Sequence, residues 1–192
     1  IGLASTVFIQ VGYYVPFLWL LMRFFTNSFS VRTFLASILG IIVPYWFTAG
    51  YYLYADNIQG LIDHFAEFVN YQELFDYSQF TDHQVINIAY ILLLGIIGMV
   101  HFMRTSYADK IRTRMIYESF ILIDFVSLAF LILQPQHHSE LSGIMIVNTA
   151  PLIAHFITFT KGKATNIAFI AMLVLTLVIM LYNIFVPPTN LL

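Results

Sequence analysis

Long apolar runs separated by short polar stretches dominate the chain. A helix crossing a ~30 Å hydrocarbon core needs ~20 mostly apolar residues. Six segments meet that need, at about 3–25, 34–54, 85–103, 116–133, 143–159 and 166–185. The fifth carries Asn148, Pro151 and His155, and the sixth has no formally charged residue inside it. The runs are continuous and too long for the ~10-residue alternating strands of a membrane barrel. The pattern predicts an all-α polytopic membrane protein, with six transmembrane helices in a single transmembrane domain over 1–192.

A different period governs the stretch 57–80. Apolar residues recur there at Ile58, Leu61, Ile62, Phe65, Phe68 and Val69, then at Leu74 and Phe75. Offsets of three and four make one helical face, and Asp63, Glu67 and Glu73 lie largely off it. One or two amphipathic helices at the outer interface are expected, serving as a packed cap or as a lid over a cavity.

Composition agrees with the pattern. The chain is 60% hydrophobic and 9% charged, against about 25% charged for soluble domains. A soluble fold of this size cannot hide so much apolar surface. A nucleic-acid binder, a disordered chain and a disulfide scaffold are excluded, the last by the absence of Cys.

Charge then orients the spans. Arg23 and Arg32 lie between the first two, Arg104, Lys110, Arg112 and Arg114 between the third and fourth, and Lys161 and Lys163 between the fifth and sixth. These are all 8 basic residues, and the connections 55–84 and 134–142 have none. Cytoplasmic loops collect Lys and Arg, so both chain ends are expected on the outer face, which is the periplasm if the host is bacterial. Asp56, Asp63, Glu67, Glu73, Asp76, Asp82 and Glu140 fall outside, and Asp109 falls inside. The chain begins with Ile and has no basic signal-peptide region. It is expected to be the C-terminal part of a longer protein.

Glu118 and Asp124 are the only formal charges within a span, and polar groups at membrane depth are functional candidates by default. Depth follows from a ~1.5 Å rise per residue. Measured from the nearest basic residue, His101 lies ~5 Å inside the cytoplasmic boundary, Glu118 ~6 Å and His155 ~9 Å. Asp124 lies ~15 Å in, near the midplane. His101, Glu118 and His155 thus share a shallow layer on three helices. A proton-coupled or metal-binding cluster is one reading. The other is that each group satisfies a backbone carbonyl or a neighbour, or reaches the headgroups. HExxH, paired His at i and i+4, and DxD are absent. No metal and no cofactor is expected.

Asp124 costs at least ~2.5 kcal/mol if charged and facing lipid. It is expected to face the interior, to be protonated, or to pair with His155 or Asn148. Lys110, Arg112 and Arg114 are candidates for a lipid phosphate, although topology already explains them. The outer turn at His137, His138 and Glu140 is a weak metal candidate.

The stretch Ser30-Val31-Arg32-Thr33-Phe34-Leu35-Ala36-Ser37-Ile38-Leu39-Gly40, running on to Pro44-Tyr45, resembles a family of uncharacterised multipass inner-membrane proteins of the Bacteroidota. Lys110-Ile111-Arg112-Thr113-Arg114 and the stretch from Asn148 to Pro151-Leu152 fit the same pattern. The resemblance implies a compartment and a host group, and no activity.

Three function classes follow. The first is a non-enzymatic scaffold, partner subunit, or carrier of a lipid or small solute. The partners expected are the lipid bilayer, a lipid or small-molecule ligand, and other membrane proteins, with no nucleic acid. The second is a membrane-embedded enzyme on lipid-linked substrates, of the multipass glycosyltransferase kind, with an outer carboxylate among Asp56, Asp63, Glu67 and Asp76. The third is a proton-coupled transporter using Asp124 and His155.

Overall fold

The computed structural model describes residues 1–69, 74–77, 80–159 and 162–189. Glu73 and Lys161 lie outside these, as do residues 70–73, 78 and 79 of the amphipathic stretch. The regular structure of the described residues is helical, without a β-strand. Among the described residues, five helices are long and apolar enough to cross a membrane: Val31–Tyr54, Asp82–Ala108, Ile111–Leu133, Pro135–Phe159 and Thr165–Phe185. The chain divides into two compact units, Ile1–Gln72 and Glu73–Leu192.

In the first unit the segment predicted as the first span is not one helix. It runs as α1 (Gly2–Ser5), a 3₁₀ turn (Ile9–Tyr13) and α2 (Tyr14–Phe24). The reasons are local. The Ser5 and Thr6 hydroxyls donate back to the Gly2 and Leu3 carbonyls at 2.9 and 2.8 Å, which offers the backbone an alternative to continued helix. Gly12 is a weak helix former. Pro16 lacks an N–H and is accommodated in the first turn of α2, where that donor would be unpaired anyway. The 11 residues of α2 reach only ~16 Å, about half of the hydrocarbon core.

A capping box starts α3 (Val31–Tyr54): the Thr33 N–H donates to Ser30 Oγ at 3.2 Å, and the Ser30 N–H to Thr33 Oγ1 at 2.8 Å. The first two helical pieces pack against α3. A Cβ on Gly2 would stand 2.3 Å from the Gly40 carbonyl oxygen, so the two backbones touch as only glycine permits. Tyr45 donates to the Ser5 carbonyl at 2.7 Å and Trp19 to Ser37 at 2.9 Å. The amphipathic stretch forms α4 (Ile58–Val69). Leu61, His64 and Phe68 are half-buried, and Ile58, Ile62, Phe65 and Val69 remain exposed. His64 Nε2 lies 3.0 Å from the Ser5 carbonyl, and the Tyr13 hydroxyl donates to the carbonyl of Phe68.

The second unit holds α5 (Asp82–Thr105), α6 (Ile111–Leu133), α7 (His138–Phe159) and α8 (Lys163–Phe185). Its core runs down α7 through Leu141, Met145, Asn148, Thr149, Leu152 and His155. That helix packs along both α5 and α6, whereas α5 and α6 touch each other little. The result is a cleft between α5 and α6 with α7 as its floor. Gly98 makes the close approach possible, since a Cβ there would meet Leu152 Cβ at 2.7 Å and the Leu152 carbonyl carbon at 3.0 Å. At the far end of α6, Phe75 N–H donates to the Leu133 carbonyl at 3.2 Å and Tyr77 Oη to the Ile132 carbonyl at 2.9 Å. These bonds satisfy carbonyls that a helix end leaves orphaned.

Candidate functional site

The cleft contains a cavity of about 240 Å³ at the level of Asp124. Ile91, Gly95 and Met99 from α5, Ile121 and Leu128 from α6, and Met145 and Leu152 from α7 line it with hydrocarbon. Asp124 and Thr149 are its polar groups. Thr149, 4% exposed, donates its hydroxyl to Asp124 Oδ2 at 3.1 Å. The second oxygen, Oδ1, is buried and has no partner among the described residues. A buried acceptor left unmet costs about 1–3 kcal/mol, so this oxygen is a place for a donor. On the side away from α7 the cavity wall includes Ile96 and Phe125, 54% and 53% exposed. The wall therefore faces the outside of the bundle.

The expected partners of Asp124 have other engagements. Asn148 turns onto its own helix and donates Nδ2 to the Ile144 carbonyl at 2.8 Å. His155, fully buried, donates Nε2–H to Asp109 Oδ2 at 2.9 Å. Its Nδ1 is buried without a partner among the described residues. The ring sits among aromatic rings, with centroids 4.9 Å from Tyr117, 5.4 Å from Phe102 and 4.6 Å from Phe159.

Of the three shallow residues, the structure brings two together. The His101 and His155 rings are 5.6 Å apart. Glu118 is only half-buried and makes no hydrogen bond or ion pair to them among the described residues. No three His, Cys, Asp or Glu side chains stand close enough to hold a metal ion among the described residues. Lys110, Arg112 and Arg114 are all exposed at the start of α6.

Two residues of the site escaped the sequence reading. Thr149 is uncharged and was passed over beside Asn148, although it is spaced from Leu152 and His155 by threes along one face of α7. The sequence places Asp109 on the inner side, among basic residues, and its carboxylate folds inward to His155. A lone acidic residue among four basic ones was the available signal.

No protein-family model, curated protein or solved structure matches this chain.

Proposed function

We infer that the protein is a non-enzymatic membrane protein that binds a small amphiphile from the bilayer and holds it at Asp124. The single observation that carries this reading is Asp124, which lines an apolar cavity whose wall faces the outside of the bundle and whose buried Oδ1 has no partner among the described residues. A hydroxyl or amine on an otherwise apolar molecule meets that oxygen, and the hydrocarbon lining takes the rest. Ligand sites of this kind are apolar with few polar groups.

The setting proposed is a bacterial inner membrane, as in the Bacteroidota family that the chain resembles. Arg32 opens α3, Arg104 lies in the last turn of α5, Lys110, Arg112 and Arg114 flank the start of α6, and Lys163 opens α8. Alternate helix ends thus carry the basic residues, which supports a cytoplasmic position for them. The segment 2–24 is read as a sixth, broken crossing, which leaves both chain ends periplasmic and α4 at the outer face.

A second reading, proton-coupled transport through Asp124 and His155, is favoured by the unmet Nδ1 of His155. Leu152, 1% exposed, lies midway in sequence between Thr149 and His155 on α7 and fills the space there with hydrocarbon. The enzyme reading draws no support from the cavity at Asp124, which Asp56, Asp63, Glu67 and Asp76 do not line.

The test uses 1-octanol and purified protein in deuterated detergent, with saturation transfer from protein to ligand. Transfer is expected with the native chain and lost with Asp124→Ala. Equal transfer to both chains overturns the reading.

A further inference from the structure

A second cavity, of about 500 Å³, lies farther along the same cleft, lined by Val85, Ile88 and Ala89 of α5, Leu131 and Ile132 of α6, and Phe80. Leu92 and Leu128 line both cavities. The two spaces therefore share a wall and run on from one another along the cleft. Asp124 precedes Ile132 by eight residues, so the second space carries the path ~12 Å from the carboxylate toward the end of α6. There Phe80, 9% exposed, lines the space and packs at a tilt against His138, with centroids 5.3 Å apart. Among the described residues the one polar side chain of this lining is Tyr77, whose hydroxyl is engaged with the Ile132 carbonyl.

We propose that the second cavity is the tail site of the ligand held at Asp124, and that this ligand is a single-chain, long-chain alcohol. This rests on the reading above and adds its chemistry and its orientation. The hydroxyl hydrogen-bonds Asp124 Oδ1 at mid-depth, and the hydrocarbon lies between α5 and α6 with its methyl end under Phe80.

Each alternative occupant conflicts with something in the cleft. A phospholipid would place a phosphate against a carboxylate, and among the described residues no Lys or Arg lines either cavity. Its glycerol would also sit at mid-depth with its tail pointing outward, the reverse of its place in the leaflet. A partner helix ~10 Å across and ~20 Å long displaces on the order of 1,500 Å³, more than both cavities hold. A short solute would leave the second cavity empty and dry. Dispersion contacts between close-packed hydrocarbon are individually small and collectively large, so a flexible chain gains by filling that space.

The test is photolabelling of the full chain in nanodiscs with a tetradecanol that carries a diazirine at its methyl end. Labels are expected on Phe80, Ile88, Leu131 or Ile132, to be lost with Asp124→Ala and with Ala89→Trp, which fills the tail site. Excess tetradecanol displaces the probe, and excess diacylphosphatidylglycerol does not. Labels at the His101 and Tyr117 end, labels spread over lipid-facing residues, or labels indifferent to Asp124→Ala each overturn the proposal. Displacement by the phospholipid, or a cleft protected by a second copy of the chain in a crosslinked dimer, overturns it as well. If octanol transfer depends on Asp124 but the diazirine label misses the second cavity, the tail assignment fails alone. If octanol transfer ignores Asp124, the carboxylate site itself fails.

Discussion

Asp124 and Asp109 both reach a side chain of α7, through Thr149 and His155 respectively. The first pairing leaves a carboxylate oxygen unmet in a cavity, and the second fixes a fully buried imidazole. Asp109→Ala strands the His155 N–H in an aromatic box, which should cost about 1–3 kcal/mol of stability. His155→Phe removes both the donor and the need for it, and the surrounding rings accept another ring. Replacing both partners of a buried hydrogen bond by apolar groups is close to neutral, so Asp109→Ala should cost little on that background. Denaturant titration of the purified protein measures both, and equal costs on the two backgrounds would show that Asp109 acts elsewhere. Asp124 was legible from the sequence because a midplane charge stands out against hydrocarbon. Its partner was not, because hydrogen-bond choice depends on the rotation of α7 about its axis. Thr149 and Asn148 are adjacent in sequence, and packing turns one to Asp124 and the other to its own backbone.

Helix contacts are set by what two glycines of α5 allow. Gly98 has Leu152 pressed against it, and a methyl there meets the Leu152 side chain and backbone. Gly95, one turn away, has Thr149 Oγ1 at 3.5 Å, an ordinary contact. Gly98→Ala should therefore destabilise by about 1–3 kcal/mol through overpacking, while Gly95→Ala is tolerated. Thermal unfolding in detergent compares them, and a Gly95→Ala as damaging as Gly98→Ala would place the tight crossing elsewhere. Nothing in the sequence distinguishes the two glycines, because which one touches a neighbour depends on how α5 and α7 are rotated against each other. The elements themselves divide in the same way. Five spans were readable because length and hydropathy suffice to define them. The break in the segment 2–24 was not, since Ser5, Thr6, Gly12 and Pro16 are each weak signals and only their sequence along one backbone stops the helix.

The molecule as a whole offers a clean handle on orientation, because the chain contains no cysteine. Tyr107, 84% exposed, lies between α5 and α6 in the basic connection, and Tyr54, 92% exposed, ends α3. A membrane-impermeant maleimide applied to intact bacterial cells should label Tyr54→Cys and leave Tyr107→Cys unlabelled until the cells are opened. The reverse pattern would invert the topology. Such a result would also move the second cavity to the cytoplasmic side, while leaving the chemistry of its lining unchanged.

The α8 helix is attached unlike its neighbours. None of the most hydropathic stretch of its span is buried, and polar bonds to the α5 side hold it. Tyr90 donates to the Met172 carbonyl at 2.9 Å, Asn183 to Asn87 at 3.0 Å and Tyr182 to Asp82 at 2.8 Å. Beyond its end, the Thr189 N–H donates to Asp82 Oδ1 at 3.0 Å, and the Asp82 N–H to the Thr189 carbonyl at 3.1 Å. Lipid solvates such a helix almost as well alone as docked, so little is lost in hydrocarbon contact when it leaves. Such side-chain bonds in a membrane average only about 0.6 kcal/mol each. During synthesis, α8 is thus free to enter the bilayer as a finished helix and to join an already assembled bundle afterwards. In the mature protein the α5–α8 seam is expected to open before the contacts of α7 with α5 and α6.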